Sequence, residues 1–184
     1  VNYFTSLTKF DGLFSKINTS GLSSNLTVII RGATIAEDGN QSLNNWSEYC
    51  GSGFTVTISP SSASTKTLSG SLLGMGLFGI YASRVTIDGS FGGTGRYLKF
   101  ANTYASSGGS ENDVFRLGIS GQVSNITIKN CDIEGQSTKA AGGVVYAYNC
   151  NNLLLDNNLI HGGSAWALNI IRADVSTNVT ITNN

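Results

Sequence analysis

Four side chains in the second half of the chain have the chemistry of acid–base catalysis: Asp132, Asp156, His161 and Arg172. Two carboxylates flanking a glycosidic bond, about 5–9.5 Å apart, can hydrolyse it. An imidazole exchanges a proton near neutral pH, and a guanidinium neutralises a sugar carboxylate. The pattern around these residues argues against such a site. No two aspartates are adjacent, and His161 follows Ile160 at a turn, where a solvated imidazole is its ordinary role. The expectation is a chain without catalytic residues, with these four as the set to test if any reaction is found.

A second group is aromatic. Tyr97, Tyr104, Tyr146, Tyr148 and Trp166 are candidate platforms for sugar rings. Tyr146 and Tyr148 are two residues apart, so on a strand they share a face. Turned outward, that face would make a sticky strip; turned inward, the orientation favoured for one strand of a wide coil, it would be core. The three cysteines, Cys50, Cys131 and Cys150, make no disulfide framework. No Cys-x-x-Cys occurs and there is one histidine, so neither a metal site nor a cofactor is expected.

The elements that carry these residues are repeats of one strand. Asn25-Leu-Thr-Val, Phe54-Thr-Val-Thr-Ile, Arg84-Val-Thr-Ile-Asp, Asn125-Ile-Thr-Ile-Lys, Asn152-Leu-Leu-Leu-Asp and Asn178-Val-Thr-Ile-Thr align on Val28, Val56, Val85, Ile126, Leu153 and Val179. The spacings are 28, 29, 41, 27 and 26 residues, the range of stacked repeat architectures. Two more short strands follow each copy, as in Cys131-Asp-Ile-Glu-Gly and Gly143-Val-Val-Tyr-Ala-Tyr. Three strands per unit, parted by Gly, Asn and Ser turns, predict a triangular parallel β-solenoid of about five to six coils.

The register predicts columns. Val85, Ile126, Leu153 and Val179 stack inside, as do Ile87, Ile128, Leu155 and Ile181. Asn125, Asn152 and Asn178 mark the strand entry; Asn130, Asn157 and Asn183 mark its exit. Asn tolerates the left-handed backbone of sharp turns, and stacked amides bond along the axis. Asp88, Lys129 and Asp156 form an outer column of alternating charge. The 41-residue interval carries an excess of about 13 residues, placed in Gly92-Gly-Thr-Gly and the run from Tyr104 to Asp113.

Charged residues are only 12% of the chain and the net charge is zero, so there is no basic footprint for nucleic acid. No apolar run is long enough to insert in a membrane. A single domain is expected over 1–184, with a cap over 1–25 and coils over 26–184. Asp11 is expected to start a short capping helix, with Leu13, Phe14 and Ile17 on one face and Gly21 past its end, shielding the strand edge of the first coil. The repeat is still in phase at Asn184, so the C-terminal end is expected to be open. The partner expected there is more of the same polypeptide or a neighbouring subunit; elsewhere, a surface polysaccharide. The chain then reads as the N-terminal part of something longer.

The order Phe4-Thr-Ser-Leu-Thr, Gly12-Leu-Phe-Ser-Lys-Ile-Asn, Asn25-Leu-Thr-Val-Ile, Lys66-Thr-Leu-Ser-Gly and Arg84-Val-Thr-Ile-Asp-Gly-Ser-Phe-Gly-Gly-Thr-Gly-Arg-Tyr-Leu resembles the β-helix regions of very large secreted surface proteins of Bacteroidetes. The resemblance implies an all-β, right-handed parallel β-helix of the pectate-lyase-like superfamily. It also implies an extracellular or cell-surface location, adhesin-like use, and export by the type IX system. That superfamily includes polysaccharide lyases and hydrolases. Their Asn-Thr-Asp, Asp-Asp and Gly-His-Gly signatures are absent here, and Ile160-His-Gly-Gly is a faint echo. The expected function is a non-catalytic structural or adhesive scaffold; the alternative is a carbohydrate-binding or polysaccharide-degrading module.

Overall fold

The computed structural model describes residues 3–104, 111–119, 121–136, 142–162 and 169–184. Its strands, numbered in chain order, fall into three parallel sheets. The first contains β1 (Leu26–Ile30), β4 (Val56–Pro60), β7 (Val85–Asp88), β10 (Val123–Lys129), β13 (Cys150–Asp156) and β16 (Thr177–Thr182). The second contains β2 (Thr34–Ala36), β5 (Lys66–Gly70), β8 (Leu98–Asn102), β11 (Cys131–Gly135) and β14 (Leu159–Gly162). The third contains β3 (Leu43–Asn44), β6 (Phe78–Tyr81), β9 (Phe115–Leu117), β12 (Val145–Tyr148) and β15 (Ile171–Asp174). Each strand pairs with the one three places along, which makes a β-solenoid of about five turns.

Alternation sets the faces. In β10, Ile126 and Ile128 are buried while Thr127 and Lys129 are half-buried outside. Val85, Ile126, Leu153 and Val179 are register partners, as are Ile87, Ile128, Leu155 and Ile181. The first pairing departs from expectation: Val56 stands over Leu26, and Val28 over Ile58. A slip of two residues keeps every side chain on its own face, so periodicity alone cannot detect it. Val179 and Ile181 also depart from the expected burial. They point inward, but β16 is the edge strand, and Ile181 stays 46% exposed because nothing stacks on it. In the middle coils the interior is filled by Phe78, Phe100 and Phe115, with ring centroids 4.9–5.5 Å apart.

The Asn columns do what the turns require. Asn125, Asn152 and Asn178 have φ of 58°, 60° and 54°, and Asn130, Asn157 and Asn183 have 55°, 50° and 55°. Asn152 donates to Asn125, and Asn157 to Asn130 at 2.7 Å. Asn178 instead donates to Asn151, at 2.9 Å. Arg84 holds the same left-handed position one coil below Asn125, with φ 63°.

The helix α1 (Leu13–Ser20) buries Leu13, Phe14 and Ile17. Its N-cap is Gly12, not Asp11. A side-chain cap is unnecessary, because the Leu13 and Phe14 N–H groups donate to the Ser6 and Leu7 carbonyls at 3.0 Å. A Cβ at Gly12 would sit 2.9 Å from the Leu7 oxygen, so the tight entry needs glycine. The helix caps the first coil at β3. Asn18 binds it to β3: Nδ2 donates to the Ser42 carbonyl at 2.8 Å, and Oδ1 accepts from the Asn44 N–H at 2.9 Å. Among the described residues, β4 is the only strand partner of β1. The segment before the helix is held by buried Glu37, which accepts from the Leu7 N–H at 2.9 Å, the Thr8 N–H at 2.8 Å, and the Ser6 and Thr8 hydroxyls.

The first part of the long interval is a small excursion between β7 and β8. Phe91 and Thr94 pair antiparallel across Gly92 and Gly93, whose φ values of 62° and 81° lie in the left-handed region that glycine enters without strain. Arg96 then reaches along the axis to the carbonyl and Oδ1 of Asn157, both at 2.7 Å.

Candidate functional site

The four acid–base candidates do not form one site. Asp132 and His161 lie on β11 and β14 of the second sheet, Asp156 on β13 of the first, and Arg172 on β15 of the third. They belong to two successive coils but are spread over three different faces.

The second sheet does gather a polar cluster. Cys131-Asp-Ile-Glu-Gly buries Cys131 and Ile133 and turns Asp132 and Glu134 outward together. Lys99 stands beside Asp132 in register, and His161 beside Glu134. The Lys99 Nζ lies 2.5 Å from Glu134 and 3.9 Å from Asp132. The His161 Nε2 meets Asp132 Oδ1 at 2.9 Å, and its Nδ1 lies 2.8 Å from the Gly162 carbonyl. The hydrogen bond to Glu134 raises the Lys99 pKa, with Asp132 adding to it against partial burial. Partial burial alone would lower the His161 pKa, but the Gly162 carbonyl and Asp132 outweigh it, so the net shift is upward. The arrangement can hold a proton on His161 and two neutralised carboxylates. Glu134 and Lys99 belong to this cluster and were not singled out from the sequence; the alternation in Cys131-Asp-Ile-Glu-Gly was the signal for Glu134.

On the first sheet Lys129 bridges to Asp88 at 3.1 Å. Asp156 instead accepts from Asn183 at 2.9 Å and from the Thr182 hydroxyl at 2.8 Å, and these bonds, Asn183 first, hold its carboxyl below the usual range.

No family model, curated protein or solved structure matches this chain. Its chemistry therefore rests on its own side chains.

The third sheet carries a column in which Tyr146 stands between Arg116 and Arg172 in register. The two guanidinium carbons lie 5.7 and 5.5 Å from its ring centroid. Arg172 is anchored to Asp174, with Nε at 2.8 Å, and Arg116 to Asp113 and Glu111, both at 2.7 Å. Burial pushes the Asp113 carboxyl up, against the pull of Arg116. Tyr146 and Tyr148 thus face outward, not inward as expected, because Val145 and Ala147 fill the inner positions over Phe115 and Leu117. Cations occupy both sides of the Tyr146 ring, which leaves Tyr148, 37% exposed, as the accessible aromatic of the pair. Tyr97 is half-buried beside Gly95, and Tyr104 is half-buried with its carbonyl accepting from Asn112. Trp166 lies outside the described residues.

Two hollows lie away from the charged clusters. One, of about 430 Å³, is a shallow groove on the outer face of the first sheet, lined by Arg84, Thr86, Asn125, Thr127, Asn152 and Leu154 among others. The other, of about 590 Å³, opens between α1 and β1. Among the described residues no group of His, Cys, Asp and Glu side chains gathers to hold a metal ion. All three cysteines are free thiols. Burial pushes the Cys150 thiol up to about 11 and raises that of Cys131 as well, so neither is poised as a nucleophile. Among the described residues no helix is long and apolar enough to cross a membrane.

Proposed function

We propose that this chain is a non-catalytic structural or adhesive β-helix scaffold of a large secreted or cell-surface protein. The observation that carries the reading is the dispersal of Asp132 and His161, Asp156, and Arg172 over three different sheets. Where charged groups do gather, they neutralise one another on an outer sheet face rather than converge on a hollow. A repeating surface of Asn, Thr and paired charges suits many weak contacts along its length. The resemblance to β-helix regions of Bacteroidetes surface proteins supports an extracellular location and export by the type IX route. In that setting the free edge of β16 pairs with a further coil of the same polypeptide or with a neighbouring subunit, since an exposed strand edge templates pairing.

The alternative, a carbohydrate-binding or polysaccharide-degrading module, draws on Asp132 and Glu134 sharing one outer face. Incubation with acidic and neutral polysaccharides, with and without Ca²⁺, separates the readings. The expected result is no cleavage. Reproducible cleavage that Asp132→Asn, Glu134→Gln or His161→Ala abolishes would replace the scaffold with an enzyme.

A further inference from the structure

We propose that the free edge of β1 receives an extended peptide strand with apolar side chains at alternate positions and acidic residues at its ends. The end of the solenoid is covered unevenly. Asn18 ties α1 to β3, and Thr8, held by Glu37, accepts from the Gln41 N–H at 2.7 Å over the next corner. Strand β1 has β4 on one side and, among the described residues, no strand on the other. The Leu26 N–H donates to the Thr55 carbonyl at 2.8 Å, and the Ile30 carbonyl accepts from the Ser61 N–H at 3.0 Å. Peptide groups alternate sides along a strand. Leu26, Val28 and Ile30 therefore bond toward β4, and Thr27 and Ile29 turn their N–H and C=O groups to the open side.

Behind that edge is the cavity of about 590 Å³, with Leu13, Ile17 and Leu22 on one wall and Leu26 and Val28 on the other. Leu26 and Val28 are only half-buried, although they occupy the inward columns that β4 fills with buried Val56 and Ile58. A strand laid on β1 would continue those columns, with every second side chain entering the cavity. Its backbone would satisfy Thr27 and Ile29, which is the strand-addition mode of peptide recognition. The charge of the occupant follows from the rim. Lys16 and Arg31 are the only charged residues lining the cavity. Neither forms an ion pair among the described residues, and no carboxylate lines the cavity beside them. Two unmatched cations beside an apolar slot favour acidic ends on the strand.

The probe is a fluorescein-labelled heptapeptide of alternating isoleucine and threonine with an aspartate at each end, titrated into the 184-residue chain by anisotropy. Saturable binding is expected, with slowed amide exchange at Thr27 and Ile29. Ile29→Pro deletes an N–H that the β4 ladder does not use, so it should weaken binding about tenfold, near the upper net worth of one hydrogen bond. A peptide with proline in place of its central residue should lose binding equally, which makes the same test if the Ile29→Pro chain does not fold. Lys16→Glu with Arg31→Glu should also weaken binding, most at low salt. No saturable binding to the unaltered chain would overturn the proposal. So would binding that both prolines leave unchanged. Displacement of the probe by dodecanoate, without exchange protection at Thr27 and Ile29, would assign the cavity to an acyl chain instead.

Discussion

Asn158 is bound to Cys131 of the neighbouring coil: its Oδ1 accepts from the Cys131 N–H at 3.0 Å. Its Nδ2 donates to the Ile128 carbonyl at 2.9 Å, and the side chain is almost wholly buried. Asn184 repeats the arrangement one coil on, with Nδ2 on the Leu155 carbonyl and Oδ1 on the Asn158 N–H, both at 2.8 Å. These amides close the corner between the first and second sheets from within.

Replacing Asn158 with Leu should therefore cost about 1–3 kcal/mol for each backbone group left without a partner. Urea denaturation followed by circular dichroism measures it. A loss under about 0.5 kcal/mol would mean that the corner relaxes to satisfy itself.

Ile128→Asp should unfold the chain, because it places an unpaired carboxylate where the native side chain is fully buried. Thr127→Asp, one residue away and outward-facing, should change the melting temperature by only a few degrees. Equal damage from the two substitutions would contradict the register.

Glu37→Ala should free the segment before α1 without melting the coils. It removes the acceptor shared by the Leu7 and Thr8 N–H groups and the Ser6 and Thr8 hydroxyls. Limited proteolysis should then cut between residues 3 and 12 while the strands from β4 to β13 stay resistant. An unchanged digestion pattern would show that Phe14 and Ile17 hold the cap alone.

His161 is the only histidine, so one NMR titration reports it cleanly. Its pKa in the fold lies above the ordinary value. The stability it contributes is then complete below the unfolded pKa of about 6.5 and is lost as pH rises through the folded pKa. Asp132→Asn should bring the titration midpoint down. An unmoved midpoint would mean that the Gly162 carbonyl alone sets it. Because His161 is about one-third exposed, solvent screening should keep the accompanying change in stability small.

The strand columns from Val85 to Val179 were legible because two signals coincide there: period-two apolar residues and an Asn at each turn. The pairing of β1 with β4 was not, since Asn25 precedes β1 but Thr55 precedes β4, and no turn residue marks the two-residue offset. Arg84 stands where other coils place Asn, and its guanidinium earns that turn by binding Glu48 at 2.7 Å and the Phe54 carbonyl at 2.9 Å. The Lys99–Glu134 pair was hidden for a different reason. It joins β8, inside the long interval, to β11 beyond it, so their register depends on how the extra residues are absorbed. Outward or inward facing of Tyr146 depended on Val145 and Ala147, small enough to sit above Phe115 and Leu117 in an already crowded interior.

The three sheets stack strand upon strand, so the hydrogen bonds between coils run nearly parallel to the long axis. Tension applied between the two ends would pull on these bonds head-on instead of sliding strands past each other. Rows loaded in this way separate one after another, beginning at a terminal coil. A single molecule stretched in an optical trap should lengthen in discrete steps, each releasing one coil of 26 to 41 residues. The coils still stacked would keep their shape, because each leans only on its immediate neighbours. Such a rod dissipates a sudden load gradually, as a shock absorber does.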